Sequence, residues 1–412
     1  LGPELTCVIG RKVASVEGGL VCEECGTSAV HRDDVVDFVK DGGSYWGEIA
    51  EDDMRRYLEI ADRDGYRTAL RQIAERFPDL RLYLLSQSRT DWLYHCLDAE
   101  AAKTCLDIGS GWGSNSFGLA DYFEEVWSLE MVRERVQFQQ IRRRQERRDN
   151  IKIIRNDWMT LPFEDNSFDL VVCNGVLEWA GLTEKIRDPR EAQLEFLREI
   201  RRVLKPNGCV YIGIENRMGI NNFAGARDHS GLKYTSIMPR FVADIAVARA
   251  NKRSSGYTRD KRVPGTAKSY RTYTYTIWGY RRLLREAMFS AEKSYWTGSY
   301  NLPKYSGRLD RASYPFFSAK IKPKSRSGGR FGASGLRRII ARVSPAPALS
   351  LANSLLTPSY LIYAYKGAIG RGFEDRLLGA TEGDSTSVMM GSGHGSTSKM
   401  IYFVGERGTL KK

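Results

Sequence analysis

The chain has no run of the roughly 18 to 20 uninterrupted apolar residues that a membrane-spanning helix requires, so nothing in it predicts an integral membrane protein. Its beginning lacks the basic-then-apolar pattern of a secretory signal. Cysteine is sparse: the seven thiols are scattered, and several fall inside apolar runs. That usage predicts reduced cysteines rather than a disulfide framework, and hence a cytoplasmic protein. No G-x-x-x-x-G-K-[ST] segment occurs, which excludes a P-loop, and there is no internal repeat. Histidine is also scarce, with four in 412 residues, so the search for a general base is short.

What is present suffices for a folded domain. With 42% hydrophobic and 27% charged residues, the chain has enough apolar material to bury a sizeable core. The net charge of +13 is localised, because residues 251–350 hold 22 Lys and Arg against 4 Asp and Glu, while the remainder holds 41 against 46. A stretch of this kind suits a polyanion (nucleic acid, an anionic lipid surface or a phosphate-bearing glycan), or else is simply a solvated face.

Four regions follow from the pattern. Residues 1–45 contain Cys7, Cys22 and Cys25 among short strand-like pieces, and residues 46–98 show helical spacing with mixed charges, a helical lead-in. Over residues 99–366, apolar strand-like runs alternate with amphipathic stretches, which predicts an α/β fold with a doubly wound, mostly parallel seven-stranded sheet. The predicted strands are KTCLDIG, EVWSLE, IKIIRND, FDLVVCN, CVYIGIE, FSAEKSYW and PSYLIYAYK. A basic insertion rich in Ser, Gly, Arg and Pro occupies about 305–355, before the last of these strands. Residues 367–412 read as a linker and tail, in which SKMIYFVGERGTLKK is either an edge strand or the opening strand and turn of another domain.

The strongest local signal is CLDIGSGWGSN, where a strand ends at Asp107 and Gly109, Gly111 and Gly113 open a helix. Glycines are required where backbone turns sharply and approaches a ligand. A nicotinamide fingerprint is disfavoured, since the third glycine position of G-x-G-x-x-G holds Ser114 or Ser116. An acidic residue followed by alternating glycines resembles the first motif of the class I S-adenosylmethionine-dependent methyltransferases, and the likeness spans about residues 103–296. The resemblance implies that Gly109, Gly111 and Gly113 face the methionine part of S-adenosylmethionine, and that Asp107 meets its ammonium directly or through water. It also implies ribose binding by Glu130, 23 residues after Asp107, and adenine binding by Asp157 with Trp158 beside the ring. Asn174, closing the fourth strand, is then near the sulfonium.

For the acceptor side, IENRMGINNFAGARDHSGLKY follows the fifth strand and holds Glu215, Asp228 and His229. His229 is the candidate base, with Asp228 adjacent. Glu215 is a second catalytic candidate, or else a strand-end cap or acceptor-binding carboxylate. Glu178 and Trp179 stand where the family often has Glu-His, which leaves Trp179 a shaping role. The N-terminal segment resembles the zinc-ribbon-like modules of some methyltransferases, implying zinc on Cys7, Cys22 and Cys25, with Gly10 in place of a further thiolate and His31 as a fourth candidate.

The acceptor is open. One expectation is O-methylation of a saccharide or lipid-linked glycan held by Tyr270, Tyr273, Tyr275 and Tyr280, with LRRIIARV at 336–343 on an anionic membrane surface; the same tyrosines also read as half-buried strand residues. The alternatives are an RNA methyltransferase using the basic region and a non-catalytic cofactor-binding scaffold.

Overall fold

The structure is a computed structural model, and it describes residues 3–7, 12–16, 18–32, 34–39, 47–96, 103–182, 188–253, 270–303, 305–309, 351, 354–369, 385–390, 401–406 and 409–411. Most of the predicted basic insertion, including 336–343, and most of the linker and tail at 367–412 lie outside the described residues.

The chain opens with four short strands, β1 (Ala14–Val16), β2 (Gly19–Val21), β3 (Ser28–Arg32) and β4 (Val35–Asp37). Helices α1 (Glu51–Asp64), α2 (Tyr66–Arg76) and α3 (Arg81–Leu85) form the predicted lead-in and run into a 3-10 segment, Gln87–His95. The core then alternates β5 (Thr104–Ile108), α4 (Ser114–Leu119), β6 (Glu125–Glu130), α5 (Arg133–Glu146), β7 (Ile151–Arg155), β8 (Phe168–Asn174), α6 (Pro189–Val203) and β9 (Leu204–Glu215). After α7 (Ile220–Phe223), α8 (Arg240–Arg253) and α9 (Ile277–Glu286) come β10 (Ala291–Thr297), β11 (Tyr305–Arg308) and β12 (Ser359–Tyr365). Three further strands close the chain, β13 (Ser385–Met390), β14 (Ile401–Glu406) and β15 (Thr409–Lys411).

All seven predicted core strands form, in the order β7-β6-β5-β8-β9-β12-β10, with β12 antiparallel to both of its neighbours. β5 and β12 are buried along their whole length, because helices cover both faces of the sheet. Alternate residues feed opposite cores: Leu106 and Ile108 pack with α6 and α9, whereas Cys105 packs with Phe117, Trp92 and Val136. α6 starts at Asp188, whose side chain accepts from the Arg190 and Glu191 N–H groups, with Pro189 at the first helical position. The lead-in helices pack on Trp112, Phe138 and Ile141, which sets them over the glycine loop.

One expectation needs correction. Among the described residues the sheet has fifteen strands rather than seven, since β4 pairs in parallel with β7 and thereby adds the N-terminal meander to one edge. Buried Arg155 reinforces that junction with a 3.0 Å ion pair to Asp37. At the other edge, β11, β13, β14 and β15 continue as an antiparallel meander, so the tail strand has a place in the sheet. Among the described residues no helix is long and apolar enough to cross a membrane.

Candidate active site

The carboxyl ends of β5, β6, β8 and β9 meet at one edge of the sheet, where doubly wound folds bind ligands. After β5 the chain passes through Gly109, Gly111 and Gly113, all in the left-handed region (φ +63°, +59° and +77°). A Cβ at Gly109 would sit 2.7 Å from Val176 Cγ2, and one at Gly111 would sit 2.6 Å from the Tyr83 hydroxyl. Both conformation and space therefore require glycine at these two positions.

Glu130, at the end of β6, is 3% exposed and fastens the loop. Its Oε2 accepts from Gly111 N–H at 2.7 Å, and its Oε1 accepts from Met131 and Val132 N–H, each at 2.9 Å. Arg135 lies 3.8 Å away and also pairs with Glu48. Asp107 lies behind the loop, 1% exposed, taking a 2.6 Å hydrogen bond from the Ser116 hydroxyl. Burial pushes its carboxyl up to about 7, with Ser116 and the charge of Arg89 pulling the other way. Ser116, Ser128 and Gln139 extend this buried network, and Gln139 donates to Gly111 C=O at 2.7 Å.

The cleft in front of the loop spans about 920 Å³, open solvent included. Its walls include Gly109, Glu130, Trp158, Asn174 and Trp179 from the core, His229, Tyr300 and Asn301 from later segments, and Glu48, Leu80 and Tyr83 from the lead-in. Burial, with the nearby Glu48 charge, pushes the Tyr83 phenol up to about 12. Asn174 Oδ1 accepts from Tyr211 OH at 3.3 Å, while its Nδ2 is buried with no hydrogen-bond partner. Asp157 Oδ1 takes the N–H groups of Met159 and Thr160 at 3.0 and 3.2 Å, shaping the turn that presents Trp158.

His229 and Glu215, 14 residues apart in sequence, come together: Nε2 lies 2.9 Å from Glu215 Oε2 and 3.8 Å from Glu178 Oε1. The Trp179 ring sits 4.5 Å from the imidazole, centroid to centroid. Asp228, expected beside the histidine, instead accepts from the Ser230, Thr235 and Ser236 hydroxyls, each at 2.6 Å, and holds the loop. None of the four tyrosines stands on a strand: Tyr280 is on α9, buried with its hydroxyl on Glu215 C=O at 3.0 Å, while Tyr270, Tyr273 and Tyr275 lie in the segment before that helix, Tyr270 buried and Tyr275 donating to Gln193 at 2.9 Å. Sequence reading missed Glu48, Tyr83 and Tyr300, whose signals are those of ordinary helix and loop residues.

In the N-terminal meander, the Cys7, Cys22 and Cys25 sulfurs lie within 4.8 Å of one another. The Cys25 thiol is lowered to about 7, chiefly by its 3.0 Å contact with the Thr27 hydroxyl, with smaller help from Cys7 and Cys22. His31 is exposed on β3 and stands outside the cluster, so the expectation of a histidine fourth ligand is corrected.

Residues 106–212 match the family described as a methyltransferase domain. The chain is 27% identical over 111 residues to the uncharacterized methyltransferase YcgJ of Bacillus subtilis, a match over 27% of this chain and 40% of the relative, so it spans less than half of that protein. Among solved structures it is similar to that YcgJ protein (16% identity, TM-score 0.34, covering 67% of this chain and 95% of the other). It is also similar to Haemonchus contortus phosphoethanolamine N-methyltransferase 2 (14% identity, TM-score 0.40, covering 76% and 60%). The family match and the strand order together make residues 106–212 a methyltransferase domain of the class I, S-adenosylmethionine-dependent kind. The cleft fits that cofactor: it offers a Cβ-free cradle, a buried carboxylate, an apolar indole and the unmet Asn174 amide donor.

Proposed function

We propose that the protein is a methyltransferase that uses S-adenosylmethionine to methylate a hydroxyl, with a saccharide or lipid-linked glycan as the acceptor class. The observation that carries the hydroxyl assignment is the His229–Glu215 contact in the cleft wall. When bound, the cofactor supplies an already activated methyl group, so the protein mainly has to align an acceptor and remove its proton. Gly109, Gly111 and Gly113 give the backbone surface for the methionine portion, Glu130 for the ribose hydroxyls, Trp158 for the adenine, and Asn174 a donor beside them. Asp107 supports the loop from behind, and Asp157 acts through the Trp158 turn.

Nε2 of His229 faces two carboxylates, which orient the ring for the imidazole to act as base toward an acceptor hydroxyl. The resulting imidazolium is stabilised by Glu215 and by buried Glu178, and Trp179 limits its rotation by packing against the ring. A base of this kind contributes about 10² to 10⁴ in rate. The basic segment that suggested RNA lies mainly outside the described residues, and no observation in the cleft favours a nucleobase. A cytoplasmic protein working at an anionic membrane face is consistent with a lipid-linked acceptor.

We also propose zinc on Cys7, Cys22 and Cys25, with solvent completing the tetrahedron. Thiolates at about 2.3 Å from one zinc stand roughly 3.8 Å apart, a small contraction of the cluster. Metal analysis of the protein purified without chelator should give one zinc per chain, and Cys22→Ser should abolish it.

Incubation with labelled S-adenosylmethionine and either a glycolipid extract or total RNA tests the acceptor class, with label expected in the glycolipid arm. His229→Ala should lower kcat about 10² to 10⁴-fold while leaving cofactor affinity unchanged. Wild-type turnover in that variant across pH 6 to 9 would remove the base assignment.

A further inference from the structure

Helix α8 is apolar on two opposite sides and packs with only one of them. Ala243 and Val247 are buried with Tyr270, while Phe241 and Ile245, one turn apart on the far side, are 69% and 49% exposed. A helix that is apolar all round is ordinarily buried, so the outer face of α8 lacks its cover among the described residues. Arg249 continues the exposed ridge at the next turn, and Lys252 and Arg253 follow in sequence, where the strongly basic 251–350 stretch begins. The acid of the helix is turned inward, since Asp244 Oδ1 accepts from Tyr270 N–H at 2.8 Å.

Helix α9 adjoins α8 and repeats the pattern. Arg240, at the start of α8, donates from Nη2 to Thr274 C=O at 2.6 Å, just before α9 begins, and so ties the first turns of the two helices. Trp278 in that turn is 45% exposed. Arg282 and Arg285 are exposed on the same side of α9, whereas Ile277, Tyr280, Leu283 and Leu284 are buried. Arginines alone suit any polyanion, and an aromatic ring stacks on a nucleobase, but an exposed isoleucine gains from an apolar phase and not from a base. Apolar side chains interleaved with arginines on an outer helix face suit a charged lipid interface. There the rings and the aliphatic chain enter the headgroup boundary, and the guanidinium groups meet lipid phosphate.

We propose that the outer faces of α8 and α9 dock on an anionic lipid bilayer, with Phe241, Ile245 and Trp278 inserting and Arg249, Arg282 and Arg285 on the phosphates. The surface deepens the lipid-linked acceptor reading above and rests on it for the purpose of docking. Its place in the fold fits that purpose. Leu232 and Met238, from the loop that carries His229, pack against the inner cluster of α8, and Tyr275 C=O, between the two helices, accepts from Arg217 N–H at 3.1 Å, just past Glu215. Docking through α8 and α9 therefore holds the acceptor side of the cleft near the bilayer.

Co-sedimentation with vesicles tests the surface. The wild type should bind vesicles of phosphatidylcholine mixed with phosphatidylglycerol, release from them as salt is added, and bind phosphatidylcholine alone far less. Phe241→Ser combined with Ile245→Ser should lower binding to the mixed vesicles roughly 10- to 100-fold. Arg249→Glu should lower it independently, and both variants should keep wild-type affinity for S-adenosylhomocysteine, which shows that they fold. Failure of the wild type to bind the mixed vesicles, or unchanged binding by the double variant, would overturn the surface. So would wild-type dimers that the double variant dissolves in sedimentation equilibrium, because a second copy would then be the cover. Transfer to a glycolipid extract dispersed in detergent needs no docking. A wild type that methylates nothing there yet sediments with the mixed vesicles would remove the acceptor reading and leave the docking surface standing.

Discussion

Asp107→Asn should stabilise the ligand-free protein at alkaline pH while weakening its grip on the cofactor. The carboxyl titrates near 7 in the folded chain and near 3.9 in an unfolded one. Below about pH 4 both states are protonated, so burial costs nothing extra; between about pH 4 and 7 the unfolded state ionises first, and stability is lost as pH rises through the folded value. At about 1.4 kcal/mol for each pH unit between the two values, the ceiling is about 4 kcal/mol, and relaxation around the site lowers the expected effect to about 2 kcal/mol. Asparagine escapes this cost, because its amide oxygen still accepts from Ser116 and it never ionises. Urea unfolding of both proteins from pH 3.5 to 8.5 should give a difference near zero at the acid end that grows to about 2 kcal/mol in favour of the variant above pH 8. A variant less stable by the same amount at every pH would refute the reasoning and make Asp107 an ordinary hydrogen-bond acceptor. Calorimetry at pH 8 should show weaker binding of S-adenosylhomocysteine, the usual trade between a stable site and a functional one.

Glu130→Ala should cost more than a lost ribose contact, since Gly111, Met131 and Val132 N–H groups all end on this buried carboxylate. Both stability and S-adenosylhomocysteine affinity should fall by about 1 to 3 kcal/mol, readable by urea unfolding and calorimetry. Truncation before Ser385 removes β13 to β15, whose link to the rest of the sheet is the short pairing with Tyr305–Gly307 of β11. Cofactor binding should be unchanged and the melting temperature should fall by less than about 5 °C, and a larger fall by calorimetric scan would make the edge meander integral to the core.

The core was legible because its physics is local. Strands buried on both faces appear as continuous apolar runs, and helices between them show three- and four-residue spacing, so KTCLDIG and REAQLEFLREIRRV announce themselves before any contact is known. The cofactor loop was legible for a similar reason, as three glycines at alternate positions after a strand have few other uses. The sheet edges were not. β1, β2 and β4 have three residues each, and the parallel junction of β4 with β7 depends on Arg155 and Asp37, residues 118 positions apart. No periodicity of so short a strand could declare its partner.

The site itself divides along the same line between local and distant causes. Gly109, Gly111 and Glu130 sit where strand ends put them, and the spacing of strands fixes that. Which carboxylate serves His229 is decided instead by how the loop after β9 folds back: Asp228, its neighbour in sequence, is spent on three loop hydroxyls, and Glu215 from the strand end takes the place beside the ring. Tyr83 is the extreme case. In sequence it is one aromatic in a charged helical lead-in, and only packing of that lead-in against Trp112 and Phe138 places its hydroxyl over Gly111. The lead-in thus supplies a wall of the cleft from outside the matched 106–212 segment, and cofactor affinity should depend on residues that the methyltransferase motif does not contain.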